Sequence, residues 1–530
     1  MNLTQRIWHV ATVIILLSFL LSARLVYWQL VRADELQPVI LNPIRSATPS
    51  DERLLKEVGP ETLAEMENLP PPVRQRLAEL LGNITRGAIY DRNGRPLAYD
   101  VAGEGGARTR FYAEPSVAPL LGYVSSFGLG VAGVEATYNE TLLGLDRLDS
   151  QLSRLLHQPV TGNDLYLTVD SRVQRAASEG LAGRPGAVVV LDADNGAILA
   201  LASSPTFDPN RILDRDYFAS LLNCATAECR DALLNRATQG LYTPGSTWKT
   251  VTLITALDSG QVTPQTVFDF GEPRQGPNGI YYVYEVDGAV IVDPNHAESR
   301  LDLVGAYVKS ANAAFARLGD EMPPQTMVEY ATRLGFGAEA EPLPLRIPVA
   351  TTQIANEIDA LLNNNVLQAA TGFGQGELLV TPLHMALMVS AVVNEGNIPR
   401  PHLLLRVQAP SGDVRQQAEP EFWLVGAMRP ETAQQVADIM VTAAQRLGIG
   451  GSGGITVGGK TGTAQLGGDQ RPHAWYIGFA RKGERTVVIA VVVEHGGSGA
   501  SVALPIFSQV ADAALNHLGE PVEEVVPPPR

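Results

Sequence analysis

Residues 186–202 read GAVVVLDADNGAILALA, two apolar runs at 187–191 and 197–202 on either side of Asp192, Ala193, Asp194, Asn195 and Gly196. Small and β-branched apolar side chains favour extended chain, and Asp-Asn-Gly supplies the residues that tolerate a tight turn, so the segment predicts two antiparallel strands. Three more runs of this kind lie far downstream, at 455–459, 474–480 and 486–494, and an amphipathic helical pattern follows over 505–518. Between the two groups, from about residue 210 to 447, the pattern is mostly helical. Strands at both ends of a helical segment predict one five-stranded antiparallel sheet flanked by helices, an α/β protein of the α+β type. Catalytic groups would then meet between sheet and helices.

Composition narrows what such a chain can do. With 530 residues, 45% hydrophobic and 18% charged, it has the material for two or three globular domains, which excludes a disordered or fibrous protein. A formal charge of -16 is the wrong sign for gripping phosphate backbones, so nucleic acid is not an expected partner. Two cysteines and eight histidines without paired spacing offer no metal set, and no cofactor is expected.

At the N-terminus, residues 7–23 carry no full charge, and if Arg24 reaches the interface the apolar run continues to residue 30, with Tyr27 and Trp28 at belt level. A single-pass anchor in the lipid bilayer over residues 7–30 is the expectation. Loop charge does not orient it, since Arg6 precedes the run and Arg24 and Arg32 follow. Residues 31–165 then read as a Pro/Glu-rich stalk leading to a small mixed pedestal, residues 166–518 as the main domain, and residues 519–530 as a disordered tail. Gly128, Gly130 and Gly133 match a dinucleotide-binding spacing, but no βαβ unit follows and a glycine turn is the better reading.

Three short motifs fall where the cleft is expected. Ser246 opens an apolar helix at 247–257, where unpaired N–H groups and the positive dipole end favour negative charge, and Lys249 lies one turn along the same face. That pairs a nucleophile with a candidate base. Only five of the 40 basic residues are lysine, at 56, 249, 309, 460 and 482, so a lysine in this chain stands out. A guanidinium stays protonated, whereas a desolvated ammonium can give up its proton. Ser310 and Asn312 form the second motif, a polar pair in a segment that reads as helical around a turn. Lys460, Thr461, Gly462 and Thr463 form the third, at a strand end where glycines admit a substrate backbone and the cation and hydroxyls face a carboxylate.

Ser-x-x-Lys, Ser-x-Asn and Lys-Thr-Gly in this order resemble the penicillin-recognising serine acyltransferases, whose motif set is a general one. Residues 235–249, 372–376 with Thr381 and Pro382, 474–478, and 86–98 in the pedestal look like the class B penicillin-binding proteins, the monofunctional peptidoglycan D,D-transpeptidases. The resemblance implies that Ser246 attacks the penultimate D-alanine of a peptidoglycan stem peptide, that Lys249 takes its proton and that Ser310 relays one. It implies that Asn312 holds the acyl side chain, that Lys460 and Thr463 bind the terminal carboxylate, and that the backbone N–H groups of Ser246 and Thr463 form the oxyanion hole. β-Lactams would acylate the same serine, the soluble part would face outward, and a glycosyltransferase of the wall-synthesis complex would be a partner. Outside the membrane Cys224 and Cys229 can close a short disulfide loop, the alternative being two reduced thiols.

Other readings stay open at this point. A serine β-lactamase or β-lactam sensor shares the acylation machinery, although no deacylating Glu motif is evident and the second motif is Ser-Ala-Asn. A membrane-anchored scaffold without activity is the non-enzymatic alternative. Gly450, Ser452 and Gly454 fit the GxSxG spacing of the α/β-hydrolases, yet neither strand nor helix frames them, which favours a glycine loop.

Overall fold

The computed structural model describes residues 84–517 apart from 103–107, 146–159, 227–228, 277–278, 294–295 and 451–452. The expected span at 7–30, the stalk as far as residue 83 and the tail at 519–530 lie outside the described residues. Among the described residues, no helix is long and apolar enough to cross a membrane.

A five-stranded sheet carries the architecture, in the order Ile455–Ala464, His473–Lys482, Arg485–Val493, Gly186–Asp192, Ile198–Ser204, antiparallel throughout. The two ends of the domain meet in its middle, where Val493 stands opposite Gly186 and Val487 opposite Asp192. Val188 and Val190 share a core with Ile489, Val491, Phe507 and Val510, covered by the helices Ser171–Leu181 and Leu504–His517. Strand side chains alternate, so Ala187, Val189 and Leu191 point the other way, and they are buried too. The sheet is therefore covered on both faces, which explains runs of valine without a polar alternation. Pro382–Val393 packs on these strands, started by Pro382 and capped by the Thr381 side chain.

The middle of the chain departs from the mostly helical expectation. Gly279–Val286 and Ala289–Asp293 form a hairpin, with Arg274–Gly276 as a third strand. Its turn residues Asp287 and Gly288 both have positive φ, 44° and 79°, the requirement of a two-residue hairpin turn that Asp-Gly meets. Ala289 and Ile291 face the core side while Val290 and Val292 are exposed, a period-2 pattern too short to stand out beside the helices.

The pedestal is a six-stranded sheet in the order Val414–Gln417, Leu404–Gln408, Asp164–Leu167, Ile89–Tyr90, Pro96–Ala102, Arg108–Tyr112, so two of its strands come from far along the chain. Beside it Glu135 is buried between two arginines, Oε2 accepting from Arg86 Nε at 2.7 Å and Oε1 from Arg110 Nε at 2.7 Å. Burial alone would raise the Glu135 carboxyl, but the charges of Arg110 and Arg86 outweigh it and hold it below the usual carboxylate range. Arg86 also donates to the Gly128 carbonyl at 3.1 Å, which makes Gly128 a turn packed on this cluster, and Gly133 leads into a five-residue helix. The pedestal turn is joined to the main sheet's first helix through Asp91, which accepts from Ser171 Oγ at 2.7 Å, and Asn93, which donates to Asp170 Oδ2 at 2.9 Å.

Replacing Glu135 by alanine takes the counter-charge from the buried Arg86 guanidinium and leaves Arg110 with Asp100 alone, 3.2 Å away, and is expected to lower stability by about 3 to 5 kcal/mol in urea denaturation at neutral pH. The carboxylate's contribution is complete above the unfolded carboxyl range and fades as pH falls through its depressed folded value, so the gap between wild type and variant should narrow in acid.

Candidate active site

Ser246 lies in a 3₁₀ turn, Gly245–Trp248, that runs into the helix Lys249–Asp258, so the α-helix proper begins two residues later than the sequence pattern suggests. Gly245 has φ +56°, and a methyl group there would meet the backbone of Thr463 and Ala464 at 2.9 Å. A methyl on Gly462 would strike Thr247 Cγ2 at 2.8 Å, so the nucleophile turn and the Lys-Thr-Gly strand are packed backbone to backbone. Trp475, on the neighbouring strand, donates its indole N–H to the Thr243 carbonyl at 3.1 Å and ties the approach to the turn. Gly374 lies against the Gly245 carbonyl oxygen with no room for a side chain, which gives the 372–376 segment a role in seating this turn.

The helix Lys249–Asp258 is buried nearly all round, and its threonines are satisfied internally: Thr250 meets Tyr307 Oη at 2.9 Å and Thr252 donates to the Gly372 carbonyl at 2.7 Å. Lys249 is fully buried within it. Its Nζ lies 2.7 Å from the Ser310 carbonyl, 3.2 Å from Ser310 Oγ and 2.7 Å from Asn312 Oδ1, with the Phe315 ring 5.6 Å away. Ser310 can turn both its carbonyl and its hydroxyl to one amine because its φ is +56°, in the turn between helices Leu303–Val308 and Asn312–Glu321. A hydroxyl both donates and accepts, so the Ser310 contact can carry a proton either way.

Removal from water pushes the Lys249 amine well below its ordinary value, the charge of Lys460 pushes it further, and Asp293 pulls it back up. Burial also lowers Lys460, to about 7. The Lys460 ammonium lies 5.5 Å from the centre of the Tyr307 ring and 3.2 Å from the Thr461 carbonyl. Among the described residues its strand, Ile455–Ala464, pairs on one side only and is the edge of the sheet. A hydroxyl on a turn, an amine poised to be neutral and a second cation beside an open strand edge form a site for acyl transfer to and from a carboxylate-ended peptide.

Residues 186–512 match the penicillin binding protein transpeptidase domain. Over 540 aligned residues the chain is 31% identical to the peptidoglycan D,D-transpeptidase PbpA of Mycolicibacterium smegmatis, covering 97% of this chain and 99% of that protein. The chain belongs to the penicillin-binding protein transpeptidase family. Among solved members of this family, it is similar to penicillin-binding protein A of M. tuberculosis in its ceftriaxone acyl-enzyme complex, with TM-score 0.72 and 28% identity over 83% of this chain and 100% of that one. The imipenem acyl-enzyme complex of the same protein gives TM-score 0.72 and 28% identity over 82% and 99%.

On this transpeptidase scaffold the structure brings Lys249, Ser310 and Asn312 into hydrogen-bond contact and sets Lys460 within electrostatic reach of Lys249. The turn carrying Ser246 abuts the strand carrying Thr461, Gly462 and Thr463, and the two threonines, two residues apart, share one face of that strand. Cys224 and Cys229 are joined in a disulfide in the loop ahead of the nucleophile. Gly450, Gly453 and Gly454 have positive φ in a loop before the edge strand, while Ser452 lies outside the described residues. The described residues hold no group of three or more His, Cys, Asp or Glu placed to bind a metal ion. Asp293, Tyr307 and Phe315 escaped the sequence reading, whereas Trp475 falls in the segment 474–478 that it singled out; the acidic residue closing the apolar run 289–292 was the one visible signal for Asp293.

If Lys460 must be charged to hold a carboxylate, kcat/KM for acylation by a penicillin should fall as pH rises through about 7, the Lys460 value in the free protein. Lys460→Arg keeps the charge at all these pH values, so its alkaline limb should move upward, which a pH series of labelling rates would show.

Proposed function

We propose that this chain is a peptidoglycan D,D-transpeptidase that crosslinks stem peptides through a Ser246 acyl-enzyme and is acylated by β-lactams at the same residue. The observation that carries this reading is the buried Lys249 amine, bonded to Ser310 and Asn312 and held below its ordinary basicity one helical turn from Ser246. Ser246 Oγ attacks the carbonyl carbon of the penultimate D-alanine as its proton passes to Lys249. The C–N bond breaks, and the terminal D-alanine leaves as an amine protonated through Ser310. The amine of a second stem peptide then displaces Ser246 from the ester, giving a new amide and returning the proton to the serine. Asn312 holds the acyl side chain, Lys460 and Thr463 take the terminal carboxylate, and the N–H groups of Ser246 and Thr463 bind the oxyanion, each such donor being worth about 3 to 4 kcal/mol of barrier.

The open edge of Ile455–Ala464 supports an extended donor peptide lying along it as a further strand. Residues 7–30 would anchor the chain in the membrane with the catalytic part outside, where its substrate is, and the pedestal would face a glycosyltransferase partner. The disulfide between Cys224 and Cys229 suits that oxidising side.

Labelling the full chain with a fluorescent penicillin should give a stable adduct that Ser246→Ala abolishes. Rapid loss of the label would indicate a β-lactamase, and absence of labelling in the wild type would leave a scaffold.

A further inference from the structure

The helix Asn312–Glu321 begins without a capping side chain of its own, since its N-cap residue is Ala311. The missing acceptor comes from another element: Asp293, at the end of the hairpin strand Ala289–Asp293, takes the Ala313 N–H on Oδ2 at 2.9 Å. Asp293 is fully buried, and the same oxygen lies 3.4 Å from His296 Nε2, whose other ring nitrogen sits 2.8 Å from the Glu298 carbonyl. The carboxylate of Glu298 is paired with Lys309, the residue before Ser310. One step from Asp293, the Val292 carbonyl lies 3.4 Å from Asn312 Nδ2. Hairpin and loop thus grip both sides of the Ser310 turn, and the Asn312 amide is bracketed between Lys249 Nζ and the hairpin edge.

We propose that Asp293 is a positioning residue for acylation: by holding the first turn of the Asn312 helix from the hairpin, it aims Asn312 and Ser310 at the Lys249 amine. Its negative charge also reaches Lys249, in opposition to Lys460 on the edge strand. The other titratable groups packed here are His296, against Asp293, and Tyr307, which burial keeps neutral and which bonds to Thr250. This inference rests on acylation of Ser246 and gives the Gly279–Asp293 hairpin a part in it.

The test is the second-order rate of labelling by a fluorescent penicillin for the full-length wild type, Asp293→Asn and Asp293→Ala, from about pH 5 to about pH 9, with thermal melting as the check on folding. Asp293→Asn keeps an acceptor for Ala313 N–H but loses the charge, so Lys249 should become easier to deprotonate and the acidic limb should move to lower pH. Asp293→Ala also loses the helix hold and should label about a hundredfold more slowly at every pH, with rescue by asparagine. An acidic limb unmoved in Asp293→Asn, or a folded Asp293→Ala labelled within about threefold of wild type, overturns the proposal. If Asp293→Ala does not fold, the limb in Asp293→Asn decides. A wild type that takes no label refutes the transpeptidase reading itself, which keeps the two failures apart.

Discussion

Keeping an amine close to neutrality inside a protein requires that water be excluded while hydrogen-bond partners remain, and these demands pull against each other at Lys249. Exclusion comes from a helix buried on all sides, from the Phe315 ring and from the sheet edge packed on the nucleophile turn. Partners come from a single strained residue and its neighbour: Ser310, in the left-handed region, and Asn312. Lys460 adds a second positive charge nearby, which raises the cost of protonating Lys249 further. Most of what surrounds the site can be understood as holding this one group in place.

What could be seen in the sequence follows a physical rule. Ser246 with Lys249, and Lys460 with Gly462, lie close along the chain because one helical turn or one strand end sets their geometry, so their spacing, the scarcity of lysine and the order of the motifs together pick them out. The same holds for 187–191 and 197–202, where turn chemistry and apolar runs agree. Glu135 was out of reach because its partner Arg86 is 49 residues away and nothing local marks the pair. Asp293 was hidden for a like reason, since the helix N–H that it accepts lies 20 residues later. The hairpin that carries Asp293 was lost in a helical neighbourhood, although Asp287 and Gly288 wrote its turn plainly.

The pedestal shows the same division of labour at larger scale. Its sheet recruits Leu404–Gln408 and Val414–Gln417 from within the transpeptidase part of the sequence, and its Asp91 and Asn93 fasten onto Ser171 and Asp170. Polar contacts of this kind fix orientation more than they add stability, since each is worth about 1 kcal/mol. They make the pedestal and the first helix of the main domain continuous.

The pairing of Arg485–Val493 with Gly186–Asp192 has a consequence for how the molecule comes into being. The central pair of strands joins segments about 300 residues apart, so an emerging chain holds its first hairpin without this neighbour until residues 485–493 have been made. Assembly is therefore slow and late, and the half-finished protein carries a long apolar strand edge that invites aggregation or proteolysis. A chain that ends between residues 464 and 484 carries all three motifs but lacks Arg485–Val493, the strand that joins the two hairpins into one sheet.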